Sequence, residues 1–288
     1  MLKQLAQAAY LYGSMPHRIA ANTIRARRGR APVSILFYHR VADDHLNTWT
    51  ISNDRFTEQV EWLEKHFDLV SLEEAQRRMR SKNHRAAVAI TFDDGYADNC
   101  EHALPLLIKK RIPCTYFVST KFVLEDKSFP HDVAAGEPLR PNTIEQLRML
   151  SRAGIEIGGH TRNHTDLGRL CDIDQLYDEV VLAARDLAGE IDRLVRYFAF
   201  PFGMHANLNA AAFRLARENG FEAVCSAYGG YNFPGDDSFH LQRIHGDPEW
   251  FRLKNWLTVD PRKLRTKRFD YTPKGSADRL TASSAGCV

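Results

Sequence analysis

The sequence predicts an α/β fold built on a parallel sheet that is closed or nearly closed. Three observations lead there. Seven short apolar runs alternate with longer stretches of helical periodicity. The residues that end these runs are rich in reactive types, as expected where chemistry gathers at the C-terminal ends of barrel strands. A 288-residue chain with 44% hydrophobic residues can bury one barrel-sized core, or two small domains.

The apolar runs predict strands over 33–38, 87–92, 114–118, 155–158, 197–200, 222–226 and 241–245. The second is informative in its parity. Ala87, Ala89, Thr91 and Asp93 fall on one face, and Val88, Ile90, Phe92 and Asp94 on the other. The small face suits a crowded barrel interior. It aims Asp93 inward, while Asp94 begins the turn at Gly95. Leu241, Arg243 and His245 share a face of the last strand, and Phe37 and His39 share one of the first. Helices are predicted over 53–66, 99–110, 143–153, 174–190, 209–219 and 248–257. In the first, Phe56, Val60, Leu63 and Phe67 form one stripe. Gly154 and Gly220 stand where C-terminal caps belong.

The net charge of +3 hides a division. Residues 1–30 carry six Lys or Arg and no acid, and residues 261–288 carry seven against two Asp. The intervening 31–260 carry 26 basic and 34 acidic residues, a net of −8. The chain therefore reads as a basic extension (1–30), a catalytic-sized body (31–260) and a basic, flexible tail (261–288). Such ends are expected to solubilise, or to make a peripheral contact with an anionic membrane. Nucleic acid is not expected as a partner, because the body would repel phosphate and the tails lack interleaved aromatics. The sequence holds no apolar run of membrane-spanning length and no recognisable signal peptide, so a cytoplasmic or membrane-peripheral location is expected. Cysteines at 100, 114, 171, 225 and 287 form no paired spacing and fit a reducing compartment.

The chemistry begins at Asp93-Asp94-Gly95. Two adjacent carboxylates repel each other unless a cation sits beside them. His160-Thr161-Arg162-Asn163-His164 supplies a partner set. Histidines four apart can face one side of a helical turn. One carboxylate and two imidazoles make a three-ligand site for a divalent metal with a position left open for water, and the second carboxylate is free to act as a base. Each half alone has a plainer reading, a turn and a solvated histidine pair. Their shared position after strand-like runs favours the site. His39, Pro201-Phe202-Gly203, Tyr228, Arg243 and His245 also fall at strand ends.

Over roughly residues 31–260 these motifs resemble the polysaccharide deacetylases, the NodB-homology or carbohydrate esterase family 4 group. Thr91-Phe92-Asp93-Asp94-Gly95-Tyr96 is similar to the family's first motif, His160 to His164 to its second, and Phe198 to Gly203 to its third. The early Tyr38-His39 resembles the branch acting on exported β-linked N-acetylglucosamine polymers. The resemblance implies a distorted (β/α)7, TIM-like barrel that removes N-acetyl groups from an amino-sugar polymer or oligosaccharide. It implies that Asp94, His160 and His164 hold one divalent ion, zinc or else Co2+, Ni2+ or Fe2+, and that Asp93 is the general base. It places the backbone near Phe202 and Pro201 at the oxyanion, and His245 at the general acid, with His39 competing. Tyr96 and Tyr228, like Trp49 and Tyr231, are candidates to stack on sugar. Ala199 stands where many members carry an arginine that orients the base; Arg243 is the expected substitute by strand parity, with Arg196 as the alternative. Two rival readings remain: an amidase acting on a small non-sugar amide, and a catalytically weak glycan-binding module.

Overall fold

In the computed structural model, residues 2–272 are described. Seven strand positions form one parallel barrel wall: Val33–Tyr38, Ala87–Phe92, Cys114–Val118, Glu156–Gly159, Tyr197–Ala199, Ala223–Ser226, and a last strand split into His240–Gln242 and Ile244–His245. The wall is thus a nearly closed barrel of eight parallel segments. The split closes it. His240–Gln242 pairs with Ala223–Ser226, while Ile244–His245 pairs with the first strand in the register Leu36↔Ile244 and Phe37↔His245. Arg243 lies at the step between the two segments. Below it the buried Asn232 bridges the seam, donating from Nδ2 to the carbonyls of Gln242 and Val33 at 2.8 and 3.2 Å.

Strand parity sorts the core into layers, because alternate side chains point to opposite faces. Val33, Ile35, Ala87, Ala89, Phe117, Tyr197, Ala199, Ala223, Cys225 and Leu241 fill the barrel. The Leu72–Arg80 helix adds Leu72, Ala75 and Met79 to the same cluster. Leu36, Tyr38, Val88, Ile90, Phe92, Tyr116 and Ile157 face outward against the helices. Truncating one of these to Ala would cost about 2–5 kcal/mol.

The predicted helices are present at Asn53–His66, Ala103–Lys110, Ile144–Arg152, Ala210–Glu218 and Trp250–Leu257. Ser52, Thr143 and Asn209 cap three of them by accepting backbone N–H bonds. The helix expected over 174–190 is one continuous rod interrupted by a π-helical turn, Asp178–Leu182, between Ile173–Tyr177 and Ala183–Ile191.

The basic 1–30 stretch contains a 26-residue helix, Leu2–Arg27, laid against the Trp250–Leu257 helix. Among the described residues no helix is long and apolar enough to cross a membrane. Residues 261–272 return to the body, where Phe269 and Tyr271 stack on Phe213. The expected flexible tail begins at 261, and its remainder, 273–288, lies outside the described residues. Among the described residues Cys100, Cys114 and Cys225 are free thiols.

Candidate active site

The site is assembled at the C-terminal ends of the strands. Asp93 ends the second strand with its N–H donated to the Tyr38 carbonyl at 2.8 Å. The chain then turns through two left-handed residues, Asp94 (φ 73°) and Gly95 (φ 93°). The turn sends the two carboxylates in different directions. A side chain at Gly95 would press on Val118, so the tight turn requires glycine there.

Asp93 is 3% exposed, and the fully buried Arg243 grips both its oxygens at 2.6 and 2.8 Å. The guanidinium also donates to Thr91 Oγ1 and to the Ser226 carbonyl, each at 3.1 Å, and lies over the Phe37 and Phe117 rings. Its planar fork matches a carboxylate and leaves little rotational freedom. Burial opposes a charge on Asp93. The Arg243 cation, with His160, outweighs it and holds the carboxyl below its usual range. The contact expected between Arg243 and Asp93 is therefore present, and the Ala199 side chain lies in the packed interior below.

Asp94 Oδ1 lies 3.4 Å from His160 Nε2 and 3.2 Å from His164 Nε2. It is buried and accepts no directed hydrogen bond. His160 Nδ1 donates to the Ala199 carbonyl at 2.8 Å, so Nε2 is the nitrogen that faces Asp94. The three ligand atoms all lie within 4.8 Å of one another. Tetrahedral ligands about 2.0–2.1 Å from one ion stand about 3.3 Å apart, so the donor set fits a divalent metal in spacing as well as chemistry. Burial opposes ionisation of Asp94, yet the two imidazoles hold its carboxyl well below the usual range.

The second motif differs from the expected helical turn. His160 to His164 is an irregular loop in which Thr161 (φ 64°) and His164 (φ 55°) are left-handed. The two imidazole rings still meet, 5.2 Å apart. What shapes the loop is Glu179, on the π-helical turn. Its carboxylate accepts the Arg162 and Asn163 N–H groups, each at 3.0 Å, and the Asn163 Nδ2 and Thr165 Oγ1 groups, each at 2.8 Å. Sequence reasoning missed Glu179, since an acid inside an amphipathic helix reads as its solvated side.

The other candidates divide. His39 and His245 stand 6.1 Å apart across the mouth, with the half-exposed Trp49 ring 4.7 Å from His39 and 5.7 Å from His245. Burial lowers the proton affinity of both, that of His245 to about 4 with help from His39. His39 Nδ1 is buried without a partner. The loop carrying Trp49 is tied down by Arg40, which bonds Asp98 and the Asp44 and His45 carbonyls. Phe202 (φ 60°) follows Pro201 in a tight turn, with its exposed ring 5.0 Å from that of His164.

The tyrosines are not brought to the mouth in the expected way. Tyr96 is enclosed with Phe122, Phe129 and Leu139 and donates to Asp132 at 3.0 Å. Tyr228 accepts the Phe269 N–H at 3.2 Å and packs near His205 and His240. Tyr231 donates to the Trp256 carbonyl. In each case a buried hydroxyl needs a partner, and it finds one inside the fold. Trp49 and Phe202 are the aromatic surfaces left at the opening.

The model of the family described as polysaccharide deacetylase matches residues 80–224, half of the chain, and takes in all three motif segments. A poly-β-1,6-N-acetyl-D-glucosamine N-deacetylase of Staphylococcus aureus is 26% identical over 250 residues, covering 83% of this chain and 82% of that one. A chitooligosaccharide deacetylase of Bradyrhizobium is 31% identical over 120 residues, 41% of this chain and 47% of the relative. Among solved structures, the Streptococcus pyogenes deacetylase PplD in complex with acetate superposes with a TM-score of 0.66 at 20% identity, covering 79% of this chain and 99% of that one. That likeness establishes the fold.

Proposed function

The chain belongs to the polysaccharide deacetylase family, and from that premise we propose that it is a metal-dependent hydrolase removing N-acetyl groups from an amino-sugar oligosaccharide or polysaccharide. The observation that carries the reading is the division of labour between two adjacent carboxylates. Asp93 is locked to Arg243, and Asp94 faces two imidazoles with an unpartnered oxygen. The names of the relatives, which act on β-1,6-linked N-acetylglucosamine polymer and chito-oligosaccharide, support the substrate class.

Asp94, His160 and His164 would hold the ion, and one carboxylate with two imidazoles suits zinc, with Co2+, Ni2+ or Fe2+ as substitutes. Bound there, a divalent ion supplies Lewis-acid polarisation of the amide carbonyl and lowers the pKa of water. Asp93 takes a proton from the attacking water. Arg243 keeps that carboxylate ionised and in one rotamer, so the lone pair that accepts the proton is always presented. The Phe202 N–H, for which no acceptor is found among the described residues, donates to the oxygen on which charge develops. The amine cannot leave as an anion, so a proton must reach its nitrogen before the C–N bond breaks. His245 or His39 delivers it. Burial lowers the proton affinity of both imidazoles, so the one that serves must first take up the proton it passes on, and it gives that proton up readily. Acetate and a free amino sugar are released. Trp49 and Phe202 flank the opening as stacking surfaces for sugar rings.

The test is release of free amine from β-1,6- and β-1,4-linked N-acetylglucosamine oligomers by the metal-loaded protein. Asp93→Asn should retain metal by elemental analysis and lose turnover by about 10²-fold or more. His164→Ala should lose most of its metal. A fully metal-loaded protein that deacetylates neither oligomer, or that prefers simple cyclic amides, overturns the assignment.

A further inference from the structure

The Leu2–Arg27 helix has a face that the protein does not use. Its inner side is docked firmly. Leu11 is fully buried, and the buried Arg18 donates to the Asn255 carbonyl, Asn255 Oδ1 and Thr258 Oγ1 at 2.8–2.9 Å. Asn22 and Tyr10 add bonds to Thr258 and Asp260. The outer side is apolar. Leu5, Tyr12 and Ile19 are spaced by seven and are 60–62% exposed, and Ile24 is 49% exposed. Ala9 and Pro16 lie between them, also exposed. Successive sevens fall on one helical stripe, here roughly 21 Å long from Leu5 to Ile19, with Ile24 about 140° round the helix from Ile19.

A solvated helix face ordinarily carries charge. Between Lys3 and Arg25 the one charged residue is Arg18, and it is turned inward. The charge instead collects at the C-terminal end, in Arg25, Arg27, Arg28 and Arg30. Among the described residues none of Arg27, Arg28 and Arg30 has an acidic partner. The chain then turns at Gly29 into the start of the first strand, so this cluster lies at the bottom of the barrel, away from the mouth.

We propose that this face docks on an anionic lipid bilayer, with the apolar stripe laid into the interface and the arginine cluster against the headgroups. Charge complementarity selects this occupant. A second copy of the chain would bring two segments together that hold six cations each and no acid, without counter-charge at either end of the pairing. The helix lies on the surface and does not span it, since no helix among the described residues has the length and apolarity to cross. With the docked face on the flank and the cluster at the barrel bottom, the mouth stays open to a polymer arriving from solution. The inference does not depend on the proposed reaction.

The test uses the full chain with vesicles of phosphatidylcholine alone and with about 30% phosphatidylglycerol, at about 0.05 M and about 0.5 M salt. Cosedimentation is expected with the anionic vesicles at low salt, falling steeply at high salt. Tyr12→Gln/Ile19→Gln should weaken it by about tenfold or more, and Arg27→Gln/Arg28→Gln should reduce it and flatten its salt dependence. Both variants should keep the wild-type melting temperature and deacetylation of soluble oligomers. Binding that is absent, that is equal on neutral vesicles, or that survives the Tyr12/Ile19 change overturns the proposal. So does a dimer in sedimentation equilibrium that the Tyr12/Ile19 change converts to monomer without any vesicle binding, which would assign the face to a second copy.

Discussion

Arg243 and Asp93 come from positions 150 residues apart and meet with almost no access to solvent. A buried pair of this kind gains little over an apolar pair, but removing one member strands the other, at about 3–5 kcal/mol. Arg243→Met should therefore lower both stability and turnover. The two effects are separable. If Arg243 positions the base, Arg243→Lys, which keeps the charge but not the fork, should lower kcat by about tenfold or more while KM moves by less than about threefold. Arg243→Met/Asp93→Asn should melt higher than Arg243→Met alone, because no unpaired charge remains. A Lys variant with normal kcat would leave Arg243 a purely structural residue.

The π-helical turn at Asp178–Leu182 is the element that shapes the second motif. The extra residue in such a turn shifts the helix face and is often found beside functional sites. Here it presents Glu179, 7% exposed, to four donors of the 162–165 loop. Only a carboxylate has acceptors enough on both oxygens. Glu179→Gln puts an amide NH2 against donors and leaves at least one of them unsatisfied, at about 1–3 kcal/mol. The loop's left-handed residues would then relax, and His164 with them. The expected result in calorimetric titration is metal affinity weaker by about 10–100-fold, the usual effect of losing an outer support of a ligand. An affinity within about threefold of wild type would show that the loop holds its shape unaided.

For the whole molecule, the buried His240 and the half-buried His245 contribute to the loss of stability in acid. Burial lowers His240 to about 3, with Arg268 adding to it, and His245 to about 4. In an unfolded chain each would titrate near about 6.5. Between those values the unfolded state binds more protons than the folded one, so stability must rise with pH. Their contribution is complete above about 6.5 and is lost as pH falls toward 4 and 3. His240 is 1% exposed and bonded to Ser226 Oγ at 3.0 Å, outside the cluster of Asp94, His160 and His164, so it can be changed alone. His240→Gln should flatten the fall in unfolding free energy between about pH 6.5 and 4, measured by urea denaturation at several pH values. An unchanged slope would mean that His240 titrates normally.

Local periodicity and short motifs are written in neighbouring residues, and those features were legible. The alternation of strands and helices followed from periodicity, and the inward parity of Ala87, Ala89, Thr91 and Asp93 and the reach of Arg243 from counting by two along single strands. Asp94, His160 and His164 stood out because few other chemistries use that set of side chains. What tertiary structure alone decided lies between elements. The last strand breaks at Arg243 because its two halves must pair with neighbours on opposite sides of the seam. The histidine loop is left-handed because Glu179 gathers its N–H groups, a contact no spacing announces. The Leu2–Arg27 helix read only as part of a basic extension. It forms because Arg18 finds Asn255 and Thr258, 237 and 240 residues away. Sequence by itself determines which side chains a segment offers and on which face. Which of them end up bonded depends on where the other segments come to lie, and that is settled only when the whole barrel closes.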